Sequence, residues 1–447
     1  MSERGDGAKG RPVPSGRLSR LGQFGRLAGG LAGGMLVEGA RRLADGERPA
    51  MRDMLLTPGN LLRVADRLSH LRGAAMKLGQ MISMDAGDAL PPELAQLMAR
   101  LRASADPMPP VQLQRMLAAE WGREWRIRFQ RFDDRPIAAA SIGQVHRAMT
   151  LDGRELAIKV QYPGVRGSID ADVDNVATLL RMSGLLPARL DIAPLLAEAK
   201  AQLHEETDYR REGAQMEAYG RLLADRDAFV VPTLAPDFTT DKVLAMSFVE
   251  SVPVEDMVGA PQAERDRIAA LLIELVLDEL FRLRVMQTDP NFANFRYQPA
   301  TGKIVLLDFG ATRPVSAATA QAYRTLLAAG LSGDGGAVKK AAMDAGFLGE
   351  AAVRRHEVLI DRMIGLIVSE ASKAGPFDFT DRRVLALVRD QAATVAGDRE
   401  TWHVPPTDTL FVQRKISGIA LLAARLEARV DVRSMVAAHV GMGPGGL

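Results

Sequence analysis

The spacing of hydrophobic positions changes character at about residue 126. Before it, the chain reads as helices. Thr57-Pro58 supplies a side-chain cap followed by proline at the first helical position, and the helix behind it runs through LLRVADRLSHLRGAAMKLGQMISMD. PPELAQLMARL predicts a second helix, ADPMPP a break, and VQLQRMLAAEW a short third helix. Beyond 126, RIRFQRFDDRPIAAASIGQVHRAMTLDGRELAIKVQYPG reads as strands with a turn at Asp152-Gly153. Residues 190–224 form one long charged helical region, and KVLAMSFVESVPV is a strand ending in a proline-marked turn. A strongly apolar helix spans Pro261 to Arg284. It is followed by VMQTDPNFANFRY, a turn at Thr301-Gly302 and the strand KIVLLDFGATRP. From Ser316 onward the chain is mostly helical. The order predicts an α+β, two-lobed plan: a leader (1–44), a helical extension (45–125), a small β-rich lobe (126–250) and a mostly helical lobe (251–447).

Composition narrows the chemistry. The formal net charge of +2 over 447 residues gives no general polyanion-binding character, so nucleic acid is not expected as a partner. There are no cysteines, which excludes disulfides, thiol catalysis and Cys-based zinc sites and fits a reducing compartment. The six histidines are scattered without ligand spacing. No apolar run reaches the roughly 18 residues of a membrane-spanning helix. The leader holds a shorter run, Leu27 to Val37, flanked by Arg17, Arg20, Arg26, Arg41 and Arg42. Its overlapping pairs Gly29/Gly33 and Gly30/Gly34 would let a helix approach closely. The stretch reads either as a membrane-surface or dimerisation segment or as a flexible leader.

The chemistry lies in three stretches. Asp289 and Asn294 share the loop DPNFAN, and Asp308 follows across a hairpin at the end of an apolar strand. Phosphoryl transfer requires metal ligands, a group near the attacking oxygen and a cation on the phosphates, and this order and spacing is that of the kinase template. Lys159 sits on a strand like the V-A-I-K strand of kinases. It can meet a carboxylate on the helix that follows, where Glu205, Asp208 and Glu212 fall on one face. The loop ahead of that strand, with Ala138, Ala139, Ala140 and Ser141, stands where kinases place a glycine-rich loop over the phosphates. Alanine there keeps a stiffer backbone. Phe248, Val249 and Glu250 occupy the position of a hinge that offers backbone groups to adenine. There is no HRD and no APE, and a helix starts within about ten residues of Asp308, so a peptide-docking segment is missing.

Together, AAMKLGQ, AAASIGQVH, LAIKVQYPGV, EETDYRREG, QTDPNFANF, LLDFGATR and QRKISGIALL resemble the UbiB family of atypical protein-kinase-like proteins, linked to coenzyme Q (ubiquinone) biosynthesis. QTDPNFAN looks most like the mitochondrial-type branch. The resemblance runs from about residue 50 to 440. It implies a protein-kinase-like fold whose N-terminal extension covers the active site, with ATP and Mg²⁺ as cofactors. It further implies Lys159 on the ATP phosphates with Glu212 as its partner, Asn294 and Asp308 on Mg²⁺, and Asp289 as the catalytic aspartate. Lys77 and Gln80 of the cover helix would meet Glu206 and Asp208. On one unbroken helix Glu206 points away from Glu212. Either the helix breaks between 206 and 212, or Glu205 takes that role. The implied activity is an Mg-ATP-dependent kinase or ATPase supporting ubiquinone biosynthesis, cytoplasmic and peripheral at the inner membrane. The implied partners are membrane lipid or quinone precursors, ubiquinone-biosynthesis proteins and a second copy of the chain. The alternatives are an ATP-binding pseudokinase scaffold and a small-molecule phosphotransferase. AAMKLGQ separates the chain from the latter.

Overall fold

The computed structural model describes residues 107–140, 142–182, 193–289, 291–381, 383–398 and 407–441. The glycine-rich leader, most of the helical extension, Lys77, Gln80 and Ser141 lie outside them. The described residues form two compact units, one of those up to 217 and from 232 to 249, the other of those from 218 to 231 and from 250 onward.

The first unit is built on a five-stranded antiparallel sheet. Strand Gly143–Thr150 pairs with Phe129–Phe132, with the short Ala138–Ala139 and with Glu155–Gln161, which in turn pairs with Val243–Ser247. Strand alternation divides Glu155–Gln161 between two faces. Leu156, Ile158 and Val160 enter a core with Leu113, Leu117, Trp125 and Phe129, which leaves Lys159 on the opposite side. Leu113 and Leu117 come from helix Pro110–Trp121, which opens with proline at its first position and stops at Gly122 (φ 90°). The aromatic rings of Trp121, Trp125, Phe129, Phe132 and Phe238 pack at centroid separations of 4.9–6.1 Å. This packing ties the end of the helical extension to the sheet.

The charged region expected as one helix is two, Ala193–Glu206 and Tyr209–Leu222. The break has a local cause. The Thr207 hydroxyl donates back to the His204 carbonyl (2.7 Å), and the Asp208 carboxylate accepts from the Arg211 N–H (3.0 Å), capping the second helix. The Gln161 side chain also donates to the Thr207 carbonyl (2.8 Å), pinning the break to the lysine strand.

The second unit holds a mixed sheet. Lys303–Leu306 pairs antiparallel with Phe295–Gln298 and parallel with Phe229–Val230, and Val252–Pro253 completes it. A separate ribbon joins Val285–Gln287 to Thr312–Pro314. The apolar helix is shorter than expected. Regular α-helix covers Gln262–Asp278, a π-helical turn follows over Glu279–Leu283, and Arg284 at φ 56° ends it in the left-handed region. The strand expected through KIVLLDFGATRP is likewise interrupted, because Asp308 adopts φ 63° and turns the chain between Leu306 and Thr312. Helices Ala317–Ser332, Gly335–Asp344, Glu350–Ala371, Arg383–Gly397, Thr407–Arg425 and Val432–Val440 complete the unit. Among the described residues no helix is long and apolar enough to cross a membrane.

Candidate active site

In the first unit, Lys159 donates to both carboxylate oxygens of Glu212, at 2.9 and 3.1 Å. Of the three carboxylates open to it by sequence, Glu212 is the one it holds. Glu205 instead lies 3.8 Å from Arg211. The pair is nearly closed off, with side-chain exposures of 9% and 3%. The Lys159 ammonium also stands 5.1 Å from the centre of the Tyr209 ring. Glu206 is buried and Asp208 caps the helix carrying Glu212. The break therefore separates Glu206 from Glu212, which is the first of the two possibilities left open by the sequence.

The alanine loop is a tight hairpin. Ala138 and Ala139 pair with Val145 and Gln144, and the Ala140 N–H donates to the Gly143 carbonyl (2.9 Å). Both strand alanines are exposed. Its glycine has another task. A Cβ on Gly143 would lie 2.4 Å from the Val160 carbonyl oxygen, so glycine is what lets the hairpin close on the lysine strand. Gln144 accepts from the Met108 N–H (2.6 Å) and bonds His146, whose other ring nitrogen meets the Asp133 carbonyl (2.8 Å). Burial lowers the His146 pKa from its ordinary value. In the expected hinge, the Phe248 N–H already donates to the Glu155 carbonyl (2.9 Å), so it continues the sheet. Its ring lies 4.1 Å from the Arg147 guanidinium. The Glu250 carbonyl accepts from Gln298 (3.0 Å). The structure thus commits two of the backbone groups assigned to adenine to protein partners.

In the second unit, strand Val285–Gln287 delivers Asp289. Thr288 anchors the entry to its loop by donating both its N–H (3.1 Å) and its hydroxyl (2.7 Å) to the Ala311 carbonyl. The Asp289 carboxylate accepts from the Asn291 N–H (3.2 Å), an Asx turn. Asn294 donates its amide to the Asp289 carbonyl (3.2 Å), which fixes the side chain and leaves its Oδ1 as the acceptor end. The Leu307 N–H donates to the Asn294 carbonyl (2.8 Å), joining this loop to the Asp308 segment. Asp308 occupies the left-handed region that aspartate tolerates better than most residues, and its carboxylate accepts from the Gly310 N–H (3.2 Å). Asp289 and Asp308 are half-buried and Asn294 is buried. Among the described residues no three His, Cys, Asp or Glu side chains gather as a metal cage. The local donors are hard oxygens of Asp308 and Asn294. That set suits Mg²⁺, which keeps several waters and takes one or two carboxylates plus substrate phosphates.

Three residues with no role assigned from sequence also converge here. Lys415, from QRKISGIALL, is fully buried. It donates to Gln287 Oε1 (2.9 Å) and lies 3.4 Å from Glu279. Burial lowers the Lys415 pKa and raises that of Glu279, with their mutual attraction opposing both shifts. The signal was present in the spacing. Lys415 interrupts the buried stripe Val412, Ile419 and Leu422 on one helix face.

A strand lysine held by a helix glutamate, an aspartate–asparagine loop and an aspartate beyond a hairpin are the parts of a kinase-like phosphoryl-transfer enzyme. The chain belongs to the ABC1 family: the profile of the ABC1 atypical kinase-like domain matches residues 100–342. It is 36% identical over 432 residues to the Saccharomyces cerevisiae atypical kinase COQ8, mitochondrial, covering 96% of this chain and 85% of the relative. It is also 36% identical over 441 residues to the Rattus norvegicus atypical kinase COQ8B, mitochondrial, covering 96% and 81%. Among solved structures it resembles Rv3197 of Mycobacterium tuberculosis, determined in complex with erythromycin. That match has 28% identity and a TM-score of 0.58, covering 83% of this chain and 93% of that one. The fold is α+β and kinase-like, and the protein is an enzyme of the atypical kinase class.

Proposed function

We propose that the chain is an Mg-ATP-dependent atypical kinase or ATPase acting at the membrane in ubiquinone biosynthesis. The observation that carries this reading is the buried, two-point pairing of Lys159 with Glu212. A lysine held this way presents a fixed charge for ATP phosphates. Mg²⁺, when bound, neutralises charge on the phosphate oxygens. Asp308 and Asn294 are the residues that would hold it. Asp289, on the same short loop as Asn294, orients the attacking oxygen and accepts its proton. Lys77 and Gln80 act from the helical extension on Glu206 and Asp208, and the alanine hairpin covers the phosphates. The missing peptide-docking segment favours water or a lipid-like quinone precursor over a protein as phosphoryl acceptor. The biosynthetic assignment extends to this chain from the family resemblance and the COQ8 relatives.

The test is ATP turnover on anionic lipid vesicles, wild type against Asp308→Asn. The variant is expected to lose activity, and equal rates would overturn the reading. Lipid analysis of a deletion strain checks the pathway: ubiquinone is lost or a precursor accumulates if the assignment is right, and an unchanged quinone profile refutes it.

A further inference from the structure

Four of the second unit's side chains form a buried relay that ends on the backbone of Asp308. Lysine has donors and no acceptor, so Lys415 fixes the orientation of the Gln287 amide: Oε1 faces the ammonium at 2.9 Å. Nε2 must then point the other way, and it donates to the Asp308 carbonyl (3.0 Å) and more weakly to that of Leu307 (3.5 Å). Glu279 closes the relay from behind. Its Oε1 accepts from the Tyr219 hydroxyl (2.6 Å) and from the Gln287 N–H (2.8 Å), and its Oε2 lies 3.4 Å from Lys415. The Tyr219 ring packs on Phe309, the residue after Asp308, at 5.3 Å. Both charged members are fully buried. A pair of apolar side chains would fill such a position at less desolvation cost, so an ion pair kept there is weak evidence for stability alone. Asp308, meanwhile, sits at φ 63° and needs its backbone held.

We propose that Lys415, Glu279 and Gln287 are positioning residues that hold the Asp308 carbonyl and thereby set the direction in which its carboxylate meets the divalent cation. The proposal rests on the reading of Asp308 as a metal ligand. It adds a role for the late QRKISGIALL segment, far in sequence from the loop it orients.

The experiment uses the full chain and measures thermal stabilisation by ATP, first in EDTA and then across a Mg²⁺ titration, to give an apparent metal constant. The variants are the charge-neutral double substitution Glu279→Gln/Lys415→Met, Gln287→Leu and Asp308→Asn. Ile360→Ala, in a separate apolar cluster, serves as a control that lowers stability alone. The double variant and Gln287→Leu are expected to weaken the metal constant about 10–100-fold. ATP binding in EDTA stays as in wild type. Ile360→Ala melts earlier with an unchanged metal constant. A wild-type metal constant in either folded relay variant overturns the proposal. Wild-type metal dependence in Asp308→Asn instead overturns the ligand reading beneath it, so the two failures are told apart.

Discussion

The Lys159–Glu212 pair makes a quantitative demand. An exposed ion pair contributes about 0–1 kcal/mol, because water screens it and two long side chains lose freedom to make it. This pair has side-chain exposures of only 9% and 3%, two hydrogen bonds and an aromatic ring beside the ammonium. It therefore belongs with buried pairs, where deleting one partner costs about 3–5 kcal/mol and deleting both with volume conserved costs far less. Lys159→Met should thus destabilise by about 3–5 kcal/mol, since the buried Glu212 carboxylate loses the ammonium that holds both its oxygens. Glu212→Gln should cost a similar amount by removing the carboxylate charge from the buried ammonium. The double substitution should be more stable than either single one. Urea titrations of the four proteins at neutral pH, compared at constant slope, give the cycle. The burial argument fails if either single substitution costs under about 1 kcal/mol, or if the double costs the sum of the two. ATP affinity separates function from stability. It should fall in the double variant even though its fold recovers, because a methionine in place of Lys159 carries no charge for phosphate.

Two smaller perturbations follow from backbone and burial. Gly143→Ala should destabilise by about 1–3 kcal/mol, because the new Cβ meets backbone 2.4 Å away and neither strand can yield cheaply. Gly330→Ala, in a helix with nothing within 4 Å of its Cβ, should stabilise by about 0.5–1 kcal/mol. Thermal melts that move in the same direction would refute the distinction. His146 is buried and its pKa is depressed below the ordinary 6.5, so the unfolded chain binds the proton more readily than the folded one. Stability should be complete above about pH 6.5 and fall as pH drops below it towards the folded-state pKa. His146→Asn should flatten that slope in urea midpoints taken from pH 7 to 5, and an unchanged slope would assign the acid sensitivity elsewhere.

The features legible in the sequence are those set by local chemistry. Strand alternation around Lys159, glycine at the Asp152-Gly153 and Thr301-Gly302 turns (φ 83° and 70°) and the helix start at Ser316 all depend on a few neighbouring residues. The choice of Glu212 over Glu205 and Asp208 was not legible. It depends on the Thr207-Asp208 break, and both residues tolerate helical as well as capping conformations. The π-helical turn after Asp278 was hidden because its residues are as apolar as the helix before it. Lys415 and Glu279 were missed for a different reason. A lone charge within a helical stripe reads as a flaw in the pattern until the fold brings its counter-charge alongside. Asp308's left-handed backbone is held by Gln287 from outside its own segment, so nothing in LLDFGATR announces it.

The aromatic cluster of the first unit also labels that unit. Trp121 and Trp125, two of the chain's three tryptophans, stand 6.0 Å apart within it. With Trp402 replaced by phenylalanine, all tryptophan fluorescence would come from the unit that carries Lys159. Emission would then report the opening of the first unit, while circular dichroism follows both. Any gap between the two transitions would measure how far the units that carry Lys159 and Asp308 can lose their folds separately.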